Sequence, residues 1–237
     1  NMQKKIDSNH LRLFNLFIEE RKKNVPVAYI LKYKHFWKSK FYVNKSVLIP
    51  RPATELIVEK VLEKVPKDQS FKFLDIGTGS GCILISILLE RPKSTGIGID
   101  ISPSAIKVAE FNAKMQQLKN RIKFINSDVD KFFAYKYDII VSNPPYINKF
   151  NYRNLQKDVK DYEPKVALYG GLHGISMIRK VIKKSSKLLK RNGSLVLEID
   201  NQILKETNSL LKKYNFYIND ISKDLMNKYR CIFSTKY

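Results

Sequence analysis

Asn143-Pro144-Pro145-Tyr146 is the segment whose residue types and spacing point most directly to chemistry. A planar amine, whether an amide or a base amino group, is a poor nucleophile because its lone pair is delocalised into the neighbouring π system. It gains reactivity when two acceptors hold its N–H bonds and leave the lone pair aimed at an electrophile. The side-chain oxygen of Asn143 and the backbone carbonyl of Pro144 can be those acceptors. Two consecutive prolines fix their relative geometry, and Tyr146 can stack on the flat group. A strand terminator followed by a core tyrosine also uses prolines, but it gives no reason for Asn to precede them. Such chemistry rests on positioning and electrostatics rather than on a proton-abstracting histidine. The three histidines, His10, His35 and His173, are scattered.

A second constellation lies upstream. Phe73-Leu74-Asp75-Ile76 reads as a strand running into Gly77, Thr78, Gly79, Ser80 and Gly81, followed by the helical Ile83–Leu89. Glycines allow a tight turn and the close approach of a ligand at the carboxyl end of a parallel strand. The pattern is G-x-G-x-G, with Cys82 where the dinucleotide fingerprint requires Gly or Ala, so a ligand without phosphates is equally compatible. Asp100, nineteen residues after Gly81, ends the next apolar run and can accept from both hydroxyls of a ribose. Loop and acid together indicate a nucleoside-bearing ligand and lean toward S-adenosylmethionine, whose sulfonium methyl is the electrophile. At the end of the third run stand Asp128 and Val129. Either Asp128 accepts from an adenine amino group while Val129 packs on the ring, or Asp128 caps a helix over Asp130–Phe133. Asp75 either orients the glycine loop or contacts the amino-acid end of the cofactor.

These residues need a scaffold that brings strand ends together. Apolar runs at Phe73–Ile76, Gly96–Ile99, Ile122–Ile125, Tyr137–Val141 and Ser194–Ile199 alternate with helical periodicity, which predicts a mostly parallel sheet covered on both faces. Phe216–Ile221 and Arg230–Ser234 add two strands and close the sheet with an antiparallel edge. The prediction is a doubly wound, seven-stranded α/β domain over residues 53–237, with a helix opening at Ala53 or Thr54 and running through Lys64. Ahead of it, 25–52 reads as a β-hairpin linker, dense in aromatic and β-branched residues from Tyr33 to Ile49 and stopped by Pro50 and Pro52. Residues 8–23 place Leu11, Phe14, Phe17 and Ile18 on one helical stripe that a lone helix cannot bury.

Composition bounds the rest. The 237 residues carry 44 Lys+Arg against 22 Asp+Glu, a formal charge of +22, and 43% are apolar. That supports a packed core and excludes disorder throughout. No apolar run approaches a membrane span or a secretory signal, which predicts a soluble cytoplasmic protein. Cys82 and Cys231 have no metal-ligand spacing, so neither a disulfide framework nor a metal site is indicated. The charge invites a polyanionic partner. Yet the densest basic run, Arg179 to Arg191, has Ile175, Ile178, Ile182 and Leu189 at helical spacing, which puts its lysines on the solvated face of an ordinary helix.

Asp75–Gly81, Asp100, Asp128 and Asn143–Tyr146 together resemble the class I S-adenosylmethionine-dependent methyltransferases that act on planar nitrogen, of bases or of glutamine. The flanks discriminate. Pro26-Val27-Ala28-Tyr29-Ile30, Phe36, Phe41, Val43 and Val47-Leu48-Ile49-Pro50-Arg51-Pro52-Ala53-Thr54-Glu55 resemble the glutamine methyltransferases of peptide chain release factors, the PrmC/HemK family. Glu163-Pro164, Ala167-Leu168, Gly170-Gly171, Gly174, Leu197-Glu198-Ile199 and Gln202 match the same family. Ala53, His173 and Asp200 depart from its usual acid, Asp and Gly.

The resemblance implies a Rossmann-like fold, S-adenosylmethionine as cofactor, and methyl transfer to N5 of the glutamine in the Gly-Gly-Gln tip of class 1 release factors. A base amino group is the alternative acceptor. Asn143, Pro144, Pro145 and Tyr146 are then catalytic, and Asp75, Gly77, Thr78, Gly79, Ser80, Gly81, Asp100, Asp128, Val129 and Asn143 meet the cofactor. Expected besides are a monomer, weak non-specific nucleic-acid contact through the basic surface, and no membrane partner. Family members usually carry several N-terminal helices, so residues 1–24 are expected to be the remnant of a larger helical domain.

Overall fold

The computed structural model describes residues 7–134 and 136–237. Helix α1 (Ser8–Lys22), capped by the Asp7 carboxylate on the amide of Asn9, has no buried residue. Leu11, Leu13, Phe14 and Leu16 on it are exposed, as a lone amphipathic helix requires. The short α2 (Val27–Leu31) follows, then a hairpin of β1 (Tyr33–Phe36) and β2 (Ser39–Tyr42). The hairpin is shorter than the expected Tyr33–Ile49. After Tyr42 the Asn44 carboxamide accepts from the amide of Ser46 at 2.9 Å and turns the chain. Val43, Val47 and Ile49 are buried from irregular backbone rather than from a strand. A turn of 3-10 helix (Pro52–Thr54) leads into α3 (Glu55–Lys64).

Strands β3 (Lys72–Ile76), β4 (Thr95–Asp100), β5 (Ile122–Asn126), β6 (Tyr137–Ser142) and β7 (Leu189–Glu198) run parallel. With the antiparallel β8 (Phe216–Lys223) and β9 (Tyr229–Lys236) they form one seven-stranded sheet in the order β5-β4-β3-β6-β7-β9-β8. Between them run α4 (Cys82–Glu90), α5 (Pro103–Met115), three short helices α6 (Lys149–Arg153), α7 (Lys157–Lys160) and α8 (Lys165–Leu168), then α9 (Ser176–Leu188) and α10 (Leu204–Lys213).

Side chains of a strand alternate between faces, so neighbours Phe73 and Leu74 enter different cores. Phe73 packs with Leu84, Ile85, Ile87 and Leu88 of α4 and Ile57, Val58 and Val61 of α3. Leu74 packs with Ile140, Leu195 and Leu197 and with Ile178, Val181 and Ile182 of α9. Burial on both faces is why these strands read as unbroken apolar runs, and each fully buried Leu or Ile contributes about 2 kcal/mol. The chain order reverses between β3 and its neighbours β4 and β6, and open α/β sheets bind ligands outside the carboxyl ends of the strands at such a point.

Two readings of the basic run change. The helix ends at Leu188, and Lys190 and Arg191 belong to β7. Lys184 is buried, its ammonium donating to the carbonyls of Asp130 and Phe132 at 2.8 and 2.9 Å. Asp128 caps a turn rather than a helix, because its carboxylate accepts from the amide of Asp130 at 2.7 Å and the chain stays non-helical to Phe133. No helix among the described residues is long and apolar enough to cross a membrane.

Candidate active site

The carboxyl ends of β3, β4, β5 and β6 open into a cleft whose empty space, its solvent-open mouth included, is about 1040 Å³. Gly77, Thr78, Gly79, Ser80, Asp100, Asp128, Val129, Asn143, Pro144 and Pro145 all line it. Four separate stretches of sequence are thus brought to one cavity by strand order alone.

The glycine loop is held from below. Asp75, fully buried near the end of β3, accepts from the Thr78 hydroxyl at 2.7 Å, and its other oxygen has no hydrogen-bond partner among the described residues. Burial pushes its pKa up to about 7, against the lowering effect of the Thr78 bond. Asp75 does not line the cleft, so of its two readings the loop-orienting one is what this geometry supports. From α5, the Asn112 carboxamide donates to the carbonyls of Ser80 (2.9 Å) and Tyr42 (3.0 Å) and accepts from the Tyr42 amide (2.7 Å). One buried side chain therefore ties the linker hairpin to the loop.

Asp100 closes the loop's outer side. Its oxygens accept from the amides of Gly79 and Ser102, both at 2.9 Å, and burial raises its pKa. Each carboxylate oxygen can accept twice, so the bonds spent on the backbone leave capacity for two ligand hydroxyls. Gly77 and Gly79 have φ of +76° and +56°, and a Cβ built on either meets nothing within 4 Å. Their backbone faces open space that a ligand can occupy. Val129 and Ile99 with Ile101 supply apolar wall, and Asp128 a carboxylate beside it. The set fits a nucleoside: a diol acceptor, an apolar wall and a backbone free of side chains at Gly77 and Gly79.

The opposite wall is the Asn143 segment. The amide NH2 of Asn143 donates to the Thr54 hydroxyl oxygen at 3.1 Å. That hydroxyl donates to Glu198 at 2.6 Å, and Glu198 also accepts from the Tyr146 hydroxyl at 3.0 Å. Glu198 is 2% exposed, and burial raises its pKa against the lowering effect of both hydrogen bonds. Tyr146 does not line the cleft. Its ring packs against the core layer of β7, and burial beside Glu198 drives its pKa up, which keeps the phenol protonated as a donor. Behind the motif, the amide of Gly170 donates to the carbonyl of Ile147 at 2.9 Å. A Cβ at Gly174 would stand 2.2 Å from the carbonyl oxygen of Tyr146, so only glycine lets this segment brace the motif's backbone. Arg51, also at the cleft, is held by Glu163, which accepts from the Ile49 amide at 3.0 Å as well.

Thr54 and Glu198, which join Asn143 and Tyr146 in one hydrogen-bonded set, are the residues of the site that motif reading missed. Both stood in flanking segments that matched the family, without a role. The signal available was a Glu in the apolar run Leu195–Ile199, since a lone acid ending a buried strand requires partners. Asp200, where the family has Gly, is accommodated without strain. Its φ is −103°, and it accepts from the Gln202 amide and pairs with Arg230, both at 2.9 Å.

Residues 67–233 match a family model described as a methyltransferase domain. A release factor glutamine methyltransferase of Clostridium acetobutylicum is 41% identical over 202 residues, covering 84% of this chain and 71% of that protein. A bifunctional methyltransferase of Rickettsia prowazekii is 34% identical over 98% of this chain, which spans 48% of its length. Among solved structures, the Thermus thermophilus 16S rRNA N2 G1207 methyltransferase superposes with a TM-score of 0.61 at 17% identity, over 86% of this chain and 50% of that one. That likeness shows the class I Rossmann-like fold. Identity of 41% over most of both chains shows more: the chain belongs to the release factor glutamine methyltransferase family.

Proposed function

We propose that this protein transfers the methyl group of S-adenosylmethionine to the side-chain nitrogen, N5, of the glutamine in the Gly-Gly-Gln tip of class 1 release factors. The observation that carries this reading is the Asn143 carboxamide, held by its NH2 on Thr54 beside a cleft shaped for a nucleoside. When bound, S-adenosylmethionine supplies an electrophilic methyl on its sulfonium. Asp100 accepts from the ribose hydroxyls, and Asp128 with Val129 receives the adenine. The Gly77–Ser80 backbone gives the ligand room, and Asp75 holds that backbone through Thr78. Gly81, expected to meet the cofactor, lies outside the cleft lining, and its missing Cβ instead leaves room for Ile85, Ala109 and Phe124 to pack at the start of α4.

On the acceptor side, Asn143 Oδ1 and the Pro144 carbonyl each accept one N–H of the substrate amide. The amide nitrogen is turned so that its lone pair, rather than its π-conjugated form, meets the electrophile. Pro145 stiffens the exit and Tyr146 anchors the motif to Glu198. The N5–carbon bond forms as the sulfur–carbon bond breaks, and one N5 proton is released to solvent.

In this reading 53–237 is the methyltransferase domain, 25–52 the linker that carries Arg51 to the cleft, and α1 meets the release factor; residues 1–6 of the expected N-terminal region lie outside the described residues. The charge of +22 assists the encounter with an acidic protein surface, and weak nucleic-acid contact is incidental to it. The test is methyl transfer from labelled cofactor to a release factor, beside its Gln→Ala version and bulk RNA and DNA. Label on the release factor that vanishes with Gln→Ala is expected. Label on nucleic acid alone would overturn the reading in favour of a base amino group.

A further inference from the structure

Glu198 is a buried carboxylate with no direct ion pair among the described residues: Arg51 pairs with Glu163 and Arg230 with Asp200 and Asp224, and both arginines favour its anion from a longer range. Such a group is expensive to keep, and both its oxygens are spent on hydroxyls, of Thr54 and Tyr146. A hydroxyl has one proton. Thr54 donates its own to the carboxylate, so toward Asn143 it can only accept. A carboxamide is nearly symmetric in shape but not in polarity, and only its NH2 can satisfy an acceptor. Asn143 must therefore turn its NH2 inward to Thr54 and its carbonyl oxygen the other way. Among the described residues no protein group donates to that oxygen.

We propose that Glu198, acting through the Thr54 hydroxyl, is the positioning residue that sets the polarity of the Asn143 amide and so presents an acceptor, rather than a donor, to the substrate. Without the carboxylate, Thr54 could donate to Asn143 Oδ1 instead. The amide would then flip and offer N–H groups to a substrate that itself offers N–H groups. The inference deepens the proposed reaction and rests on its reading of Asn143 as an acceptor.

Two measurements test it. Thr54→Val, which keeps the shape and removes the hydroxyl, is expected to lower kcat by about tenfold, the worth of one buried hydrogen bond, while KM for cofactor and release factor stays within about threefold. Thr54→Ser is expected to restore kcat to within about threefold. Glu198→Gln should lower kcat by a smaller factor when Thr54→Val is already present than when it is not. Equal losses in the two backgrounds would detach Glu198 from Thr54 and overturn the proposal, as would a Thr54→Val enzyme with normal kcat.

The second measurement needs no turnover. The Asn143 side-chain 15NH2 signals, identified by their loss in Asn143→Ala, should show one hydrogen-bonded proton that persists in Thr54→Ser and moves to the free-amide position in Thr54→Val. Signals unchanged in Thr54→Val would refute the orientation even if kcat fell. If the wild-type chain did not methylate a release factor, the function would be wrong, and these spectra would still decide the orientation.

Discussion

The two walls of the cleft are held by different kinds of bond. On the cofactor wall the ties are short in sequence: Asp75 to Thr78 spans 3 positions, Asp100 to Gly79 spans 21, and Asn112 to Ser80 spans 32. On the acceptor wall they are long, with Tyr146 to Glu198 spanning 52, Asn143 to Thr54 spanning 89 and Thr54 to Glu198 spanning 144. The first wall is the run β3-α4-β4-α5-β5, which supplies most of its own supports; its one long tie among these is from Asn112 to Tyr42 of the hairpin, spanning 70 positions. The second is a junction where the 3-10 turn before α3, the loop after β6 and the end of β7 meet, and it exists only once those parts of the sheet are assembled. A change on the cofactor wall should therefore act on binding and local stability, and a change on the acceptor wall on turnover.

Asn143→Ala is the most severe way to break that division. In the proposed reaction it removes a preorganised acceptor from the reacting nitrogen, and losing one such group is expected to cost about a thousandfold in kcat. Because the cofactor wall is independently tied, the dissociation constant for S-adenosylmethionine should change by less than about threefold, within the scatter of a weak contact. Single-turnover transfer beside calorimetric binding checks both. A parallel loss in the two would mean that the walls are one unit.

Asp75 offers a test confined to the cofactor wall. Its pKa stands at about 7 because burial disfavours the anion, with Thr78 donating to it and the Asp100 charge adding to the rise. The folded chain therefore keeps this proton at pH values where the unfolded chain, titrating near pH 4, has lost it. The stability so gained is fully present below about pH 4 and is lost as the pH rises toward 7, by up to about 4 kcal/mol. Denaturant unfolding of the ligand-free protein and of Asp75→Asn should show their difference shrinking across that window. A constant difference would show that Asp75 is ionised in the fold.

How much of each wall could be read in the sequence follows from the same spans. Gly77–Gly81, Asp100 and the parallel strands around them were legible because motif, spacing and apolar runs all lie within about thirty residues, where local pattern and geometry coincide. Asn143–Tyr146 was legible as a motif, but what orients it was not. Thr54 looked like a helix start and Glu198 like part of a strand, since nothing in a linear pattern reveals that positions 144 apart share a proton. The buried Lys184 escaped for a related reason. Its spacing puts it on the polar stripe of α9, and only the turn after Asp128 supplies the carbonyls that draw it in.

Asp100→Ala sharpens the comparison at a smaller scale. The carboxylate contributes hydrogen bonds from a charged group, worth about 2 kcal/mol, so cofactor binding should weaken by about thirtyfold. At saturating cofactor kcat should recover to within about threefold, because the acceptor wall is untouched. Failure of kcat to recover would place Asp100 among the groups that act on the transition state.

Gly79→Ala separates two effects that the glycine loop combines. At φ +56° an L side chain is strained, which costs about 1 kcal/mol of stability wherever the Cβ points. Since no described residue beyond its chain neighbours lies within 4 Å of that Cβ, the ligand-free fold should lose no more than this strain, read as a drop in Tm of a few degrees. In the proposed reaction the added methyl occupies space assigned to the cofactor, so binding should weaken beyond the loss in stability. If affinity stayed normal while Tm fell, the glycine would serve the turn alone. The bare backbone would then no longer mark where the cofactor lies, and the cofactor wall would have to be redrawn around Asp100 and Asp128.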